Sequence, residues 1–280
     1  MLAKGSGGYG LAWRVKSIFS LILPLVLGCG LFSGEVPPED EEAWLKAAQL
    51  RMVEQQLRQR GITAERVLQA MATIPRHAFV PADLRLEAYN DAPLPIGQDQ
   101  TISQPYIVAL MTERLGLVGT ETVLEIGTGS GYQAAVLSSL AKQVYSVEIL
   151  PQLADTARQR LAKLGYENVT VIIGDGNLGW KDGAPYEAII VTAAAPHIPV
   201  ALLDQLAEGG RMVLPVEMAD GQHLLQLRKV AGKIIEQDLG LVRFVPLVEG
   251  DEDVKRNKDR ETSTLYFTRL EMTLESGSVS

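Results

Sequence analysis

An apolar run, Thr122-Val-Leu-Glu-Ile126, leads straight into three alternating glycines, Gly127, Gly129 and Gly131. A helical pattern begins at Tyr132. A second apolar run follows at Val144-Tyr-Ser-Val147, and an acid, Glu148, closes it. Strand, glycine turn, helix, strand and acid in this order make a βαβ unit of the kind that holds nucleotide-like ligands beyond the ends of parallel strands. The glycines let the backbone turn tightly and approach a ligand where a side chain would clash. Glu148 lies 148 − 127 = 21 residues past the first glycine, where a carboxylate can accept hydrogen bonds from both hydroxyls of a ribose.

The details of the turn bear on which ligand it takes. A dinucleotide fingerprint places its third glycine five positions after the first, so that helix and strand pack closely. Here that position is Tyr132, and the third glycine comes one residue early. No basic residue stands in the loop to neutralise a diphosphate. Glu125 instead stands two residues before Gly127, where it would repel a diphosphate and suit a ligand carrying ammonium and sulfonium groups. The segment Glu125-Ile-Gly127-Thr128-Gly129-Ser130-Gly131 is similar to the S-adenosylmethionine (AdoMet) loop of class I methyltransferases.

The chain has 280 residues, 46% hydrophobic and 21% charged, a balance that suits one large globular domain with an appendage. A net charge of −8 gives no electrostatic footprint for nucleic acid, so none is expected as a partner. The single cysteine, Cys29, excludes an internal disulfide and a cysteine-based zinc cluster. His77, His197 and His223 lack metal-ligand spacing, so no metal is expected.

Residues 1–34 read differently from the rest. Lys4, Arg14 and Lys16 precede the apolar stretch Ser17–Leu27, and Gly28-Cys29-Gly30 follows. This resembles a secretory or lipoprotein signal, which would anchor the chain to a membrane through Cys29. The alternative is a true start at Met52, and the expectation adopted is a cytoplasmic monomer. Residues 35–45 read as an acidic linker. The methyltransferase-like domain is expected over 46–248, with a substrate-side part at 46–118 and a cofactor core at 119–248. A charged extension occupies 249–280, with a short strand possible at 263–270.

Within the domain, periodicity predicts a helix over 43–60 stopped by Gly61, and a second over 64–73 capped by Thr63. Residues 90–105 read as irregular loop. Strands are predicted at 122–126, 144–148, 169–173, 187–192 and 211–215, with helices near 131–141, 151–164 and 199–207. Runs at 223–230 and 234–239 flank a turn at Gly232-Lys233 and predict a hairpin. A last run spans 242–248. The expected fold is thus α/β: a doubly wound, mostly parallel, Rossmann-like sheet with an antiparallel hairpin at one edge.

Several segments carry a more specific likeness: Pro93-Leu-Pro-Ile-Gly97, Gln100-Thr101-Ile102-Ser103-Gln104-Pro105, the glycine loop, Gly174-Asp175-Gly176 and Val191-Thr-Ala-Ala-Ala-Pro196. Together and in this order they resemble the protein-L-isoaspartate O-methyltransferase family, from about Met52 to Val248. Arg243–Val248 resembles its last core strand. The resemblance implies repair of damaged proteins, by methyl transfer from AdoMet to the free α-carboxyl of L-isoaspartyl residues. It assigns the active-site role to Ser103, with Thr101, Ile102, Gln104 and Pro105 on the substrate side. It gives AdoMet to Glu125, Gly127, Thr128, Gly129, Ser130, Gly131, Glu148, Gly174, Asp175 and Gly176. Asp99 stands where the family usually has glycine, and His197 where an acid is common.

The chemistry is consistent with that assignment. A carboxylate is already ionised at neutral pH, so the reaction needs no strong general base. Ser103 can orient the carboxylate through its hydroxyl, or can instead cap the helix that begins near Gln104. Asp175 between two glycines can accept from an adenine amino group, or can sit in a type I′ turn. A nicotinamide-dependent oxidoreductase is the rival enzyme class, and Tyr132 in place of glycine speaks against it. A binding module without activity, and a methyltransferase with another acceptor, are the remaining alternatives.

Overall fold

The computed structural model describes residues 40–248 and residue 250. The signal-like segment with Cys29, and the strand expected at 263–270, lie outside the described residues. Helix α1 (Glu41–Arg51) begins inside the stretch expected to be linker. Its first turn holds Glu41 and Glu42, which a helix N-terminus favours, and both reach the Arg85 guanidinium at 3.3 and 3.1 Å. The helix then widens into π turns over Met52–Leu57, tightens over Arg58–Arg60 and stops at Gly61, where φ is 94°.

Helix α2 spans Glu65–Thr73, but Thr63 does not cap it. The free amides of Thr63 and Ala64 instead donate to Glu113 Oε1, each at 2.7 Å. A carboxylate some fifty residues away thus does the work expected of a local hydroxyl. The stretch 90–105 is not irregular either. It contains strands β1 (Leu94–Gly97) and β2 (Gln100–Ile102), antiparallel, joined by Gln98-Asp99. Both turn residues have positive φ, 53° and 56°, the type I′ geometry that usually calls for Asn-Gly. Helix α3 (Pro105–Leu115) follows, with Gln104 at its N-cap and Pro105 in its first turn.

The main sheet contains β3 (Thr122–Ile126), β4 (Gln143–Glu148), β5 (Val169–Ile173), β6 (Tyr186–Val191), β7 (Leu206–Met218), β8 (Gly221–Val230) and β9 (Lys233–Val242). Helices α4 (Tyr132–Ser138), α5 (Pro151–Lys163) and α6 (Val200–Gln205) lie between them in the chain. The order across the sheet is β5-β4-β3-β6-β7-β8-β9. Strands β5 to β7 run parallel; β8 pairs antiparallel with β7, and β9 with β8. The expected architecture is present. The last run, 243–248, is not a sheet strand. It crosses the end of the sheet through a bridge from Pro246 to Ala194, with Ala194 N donating to Val245 O at 2.8 Å.

Alternate residues of β3 serve two cores. Val123 joins Met111 and Leu115 of α3 and Leu137 of α4, while Leu124 and Ile126 join Ile198 and Leu202 on the α6 side. Tyr132, the residue that displaces the expected third glycine, ties the glycine loop to the N-terminal helices. Its ring packs edge-on to Phe79 at 5.4 Å, its hydroxyl donates to Met71 Sδ at 3.4 Å, and the buried Arg76 guanidinium sits 5.0 Å from its centroid. Burial lowers the Arg76 pKa to about 10. Removing a buried aromatic of this size costs about 3–5 kcal/mol, so Tyr132 holds the N-terminal part and the sheet together. Among the described residues, no helix is long and apolar enough to cross a membrane.

Candidate active site

The direction of winding reverses between β3, which pairs with β4 on one side, and β6 on the other. A crevice opens above such a switch point, and the candidate pocket lies there. Its floor and walls come from Ile126 at the end of β3, Gly127 and Gly129 of the glycine loop, Val147–Leu150 at the end of β4 and just past it, Gly176, and Thr192-Ala193 after β6. Gln100-Thr101 of the hairpin and Val245–Val248 complete it from two distant parts of the chain. The hairpin lies against the loop: a Cβ on Gly129 would stand 3.3 Å from Ile96 Cδ1.

Gly127 has a φ of 91°, and a Cβ there would come within 2.5 Å of Thr192 Oγ1. That hydroxyl donates to Gly127 O at 2.7 Å, so the ends of β3 and β6 are stitched together beneath the pocket. Glu148 closes the other side. Its Oε2 accepts from Gly129 N at 2.8 Å and its Oε1 from Leu150 N at 3.0 Å. Each carboxylate oxygen keeps a second lone pair, so Glu148 can shape the loop and still accept two hydroxyls. It is also the one charged side chain among the described residues that line the pocket. Among the described residues, no lysine or arginine lines it. The donor set suits a ribose-bearing cation and opposes a diphosphate, which fits AdoMet.

Glu125 does not line the pocket. It is fully buried under the loop, where Ser146 Oγ donates to its Oε2 and its Oε1 has no partner. Burial pushes its pKa up to about 8, with the Ser146 bond acting against the rise and the Glu148 charge adding to it. Glu125, expected from the sequence to face the ligand, thus sits in the layer beneath the glycine loop and not in the pocket wall.

Thr128 is also buried, with Oγ1 2.6 Å from Ser146 Oγ. Ser130 and Gly131 lead into α4: Ser130 Oγ accepts from Tyr132 N at 3.3 Å, and Ser130 O accepts from Arg160 at 2.6 Å. Asp175 has a φ of −78°, so the type I′ alternative fails. Its Oδ1 accepts from Asn177 N at 2.8 Å, capping the short turn Gly176–Leu178, and its Oδ2 accepts from Gly250 N at 3.3 Å. Gly174, just before it, does not line the pocket.

On the hairpin side, Thr101 is exposed in the pocket wall, while Ile102 and Pro105 are buried. Gln104 Nε2 donates to Asp91 O at 3.2 Å. Ser103 is half-buried between them, and the N-cap position belongs to Gln104, whose side chain makes no capping bond. The capping alternative for Ser103 is therefore not realised. Sequence reading did not pick out Gln100, Ile149, Leu150 or 245–248 as pocket residues. The last of these carried a signal, the apolar run after β9, but was expected inside the sheet. His197 is half-buried and outside the pocket wall.

Fold, switch point and an acid-walled pocket without cations define a class I AdoMet-dependent methyltransferase. Comparison narrows this to one family. The profile of the protein-L-isoaspartate(D-aspartate) O-methyltransferase family matches residues 48–252. A protein-L-isoaspartate O-methyltransferase of Methanoculleus marisnigri is 57% identical over 197 residues, 70% of this chain and 90% of that protein. One of Syntrophobacter fumaroxidans is 58% identical, over 71% of this chain and 92% of its own length. A putative protein-L-isoaspartate O-methyltransferase of Plasmodium falciparum, solved with S-adenosyl-L-homocysteine, superposes with a TM-score of 0.65 at 25% identity, covering 72% of this chain and 99% of that one. The chain belongs to the protein-L-isoaspartate(D-aspartate) O-methyltransferase family. It is an AdoMet-dependent enzyme that methylates the free α-carboxyl of L-isoaspartyl residues in damaged proteins.

Proposed function

We propose that the pocket divides this reaction between two sets of residues. Glu148 accepts the ribose hydroxyls, the loop from Gly127 to Gly131 lies along the aminoacyl end, and Asp175 faces the adenine side. AdoMet, when bound, supplies an electrophilic methyl group. Ser103 donates a hydrogen bond to one oxygen of the isoaspartyl carboxylate and leaves the other free to attack in line. Thr101, Ile102, Gln104 and Pro105 hold Ser103 in place at the edge of the pocket. Positioning accounts for most of the rate, since the nucleophile arrives ionised and the apolar wall at 245–248 keeps water away.

The observation that carries this reading is that Ser103 Oγ has no hydrogen-bond partner among the described residues and stands two residues from Thr101 of the pocket wall, although Ser103 does not itself line the pocket. A half-buried hydroxyl with no internal partner is one available to a ligand. Ser103→Ala should lower methyl transfer to an isoaspartyl peptide by about ten- to a hundredfold, the value of a hydrogen bond to a charged group. AdoMet binding by calorimetry should stay near that of the wild type. Wild-type turnover in a less stable Ser103→Ala protein would sink the assignment, and equal methylation of the normal aspartyl peptide would sink the substrate.

The domain limits of 46–118 and 119–248 follow the same division of labour. We place the enzyme in the cytoplasm, because AdoMet is made there, and read it as a monomer. Intact-mass measurement of the native protein tests the location, and a lipid-bearing N-terminus at Cys29 would refute it.

A further inference from the structure

Strands β3 and β4 are parallel neighbours, and their register sets Glu125 opposite Ser146. Both side chains are fully buried, and Thr128 above them is 3% exposed. Among the described residues, no cation pairs with Glu125. Ser146 Oγ is its hydrogen-bond partner through Oε2, and the same Ser146 oxygen lies 2.6 Å from Thr128 Oγ1. Three side chains thus form a single file from the floor of the sheet to the glycine loop. Ser146 is the only one that touches both ends.

A hydroxyl has one proton to give. When Ser146 gives its proton to Glu125, the 2.6 Å contact above it exists only if Thr128 gives its proton to Ser146. With Glu125 Oε2 as the acceptor, the file runs from Thr128 through Ser146 to the acid, and Ser146 is the link that joins the acid to the loop. We propose that Ser146 is a positioning residue for AdoMet, fixing the Thr128 rotamer and with it the backbone between Gly127 and Gly129. This rests on the assignment of the glycine loop to AdoMet. Cutting the file leaves Thr128 without its partner and the loop free to sample other conformations. Binding then has to select the competent one.

The test is calorimetric titration of AdoMet into wild type, Ser146→Ala, Thr128→Val and the double variant, with kinetics on the same preparations. Ser146→Ala should weaken AdoMet binding by about tenfold, and the loss should appear in KM for AdoMet far more than in kcat. Thr128→Val should do the same, and the double variant should lose no more than either alone. Ser146→Thr, which restores the hydroxyl, should bind more tightly than Ser146→Ala. Additive losses, or wild-type affinity in Ser146→Ala, would overturn the proposal. Should Ser146→Ala fail to fold, Thr128→Ser against Thr128→Val reads the same link from its other end, and equal affinities there would overturn it. Failure of Glu148→Ala to weaken AdoMet binding would instead overturn the pocket assignment beneath it.

Discussion

The two halves of the pocket are built on different terms. On the cofactor side, Gly127, Gly129, Glu148 and Thr192 are held by hydrogen bonds to one another at 2.7–2.8 Å, with a buried polar file beneath. On the substrate side, the β1–β2 hairpin ends in an exposed turn with two non-glycine residues at positive φ. Ser103 makes no internal hydrogen bond among the described residues. One half is preorganised for a ligand that never changes. The other faces polypeptides of varied sequence, where a rigid wall would exclude most of them.

Gly127 and Gly97 offer the sharpest way to break that contrast, because their backbones are alike. Both have a φ of 91°. A Cβ on Gly127 would meet Thr192 Oγ1 at 2.5 Å, whereas one on Gly97 would meet nothing within 4 Å. Alanine at either site carries the strain of a left-handed residue, about 1–2 kcal/mol. At Gly127 the overlap adds about 1–3 kcal/mol, or is relieved by breaking the stitch to Thr192. Gly127→Ala should therefore lose about 3 kcal/mol of stability, or AdoMet binding altogether, and Gly97→Ala only about 1 kcal/mol. Chemical unfolding and AdoMet titration check both. Equal losses would show that the hairpin is as tightly determined as the loop.

The buried file gives the cofactor half a signature in pH. The folded Glu125 carboxyl keeps its proton up to about pH 8, while the unfolded chain releases it near the ordinary value of 4.5. Between those values the native state binds more protons, so its stability falls as pH rises. The stabilising contribution is complete below about 4.5 and is gone above about 8. Glu125→Gln supplies the neutral form at every pH. It should flatten the loss between pH 5 and 8 by at least about 1 kcal/mol, measured by urea unfolding across that range. A variant with the wild-type slope would mean that Glu125 is ionised in the folded protein.

The same division explains what the sequence could tell. Glu125, the glycines and Glu148 fall within 24 consecutive residues, and their order is dictated by one βαβ unit, so the cofactor half was legible almost whole. Contacts that join distant parts of the chain were not. Glu113 capping α2 replaces a local Thr63 cap that the sequence offered. The 243–248 run looks like a strand by composition, yet its neighbours are Ala194 and the pocket, which no local pattern encodes. The β1–β2 hairpin escaped notice because its turn, Gln98-Asp99, lacks the glycine that marks type I′ turns. Glu125 was recognised as important for a charge facing the ligand, whereas its position under the loop depends on Ser146, a residue with no motif of its own.

Asp99 tests the substrate half with the smallest expected effect. Its φ of 56° is one that aspartate tolerates better than most residues but glycine adopts freely. It is also an exposed negative charge at the tip of the hairpin whose Gln100 and Thr101 line the pocket. Asp99→Gly removes strain and charge together, while Asp99→Asn removes the charge and keeps a side chain suited to the turn. The glycine variant loses some of its gain to the greater freedom of the unfolded chain. It should be more stable than wild type by about 0.5 kcal/mol by thermal melting. Both variants should lower KM for an anionic isoaspartyl peptide by less than about threefold at low salt, with the difference fading as ionic strength rises. A glycine variant with no gain in stability would mean that the turn relaxes around Asp99. An unchanged KM in both would place the hairpin tip beyond the reach of the substrate, confining its part in catalysis to the strand that carries Thr101.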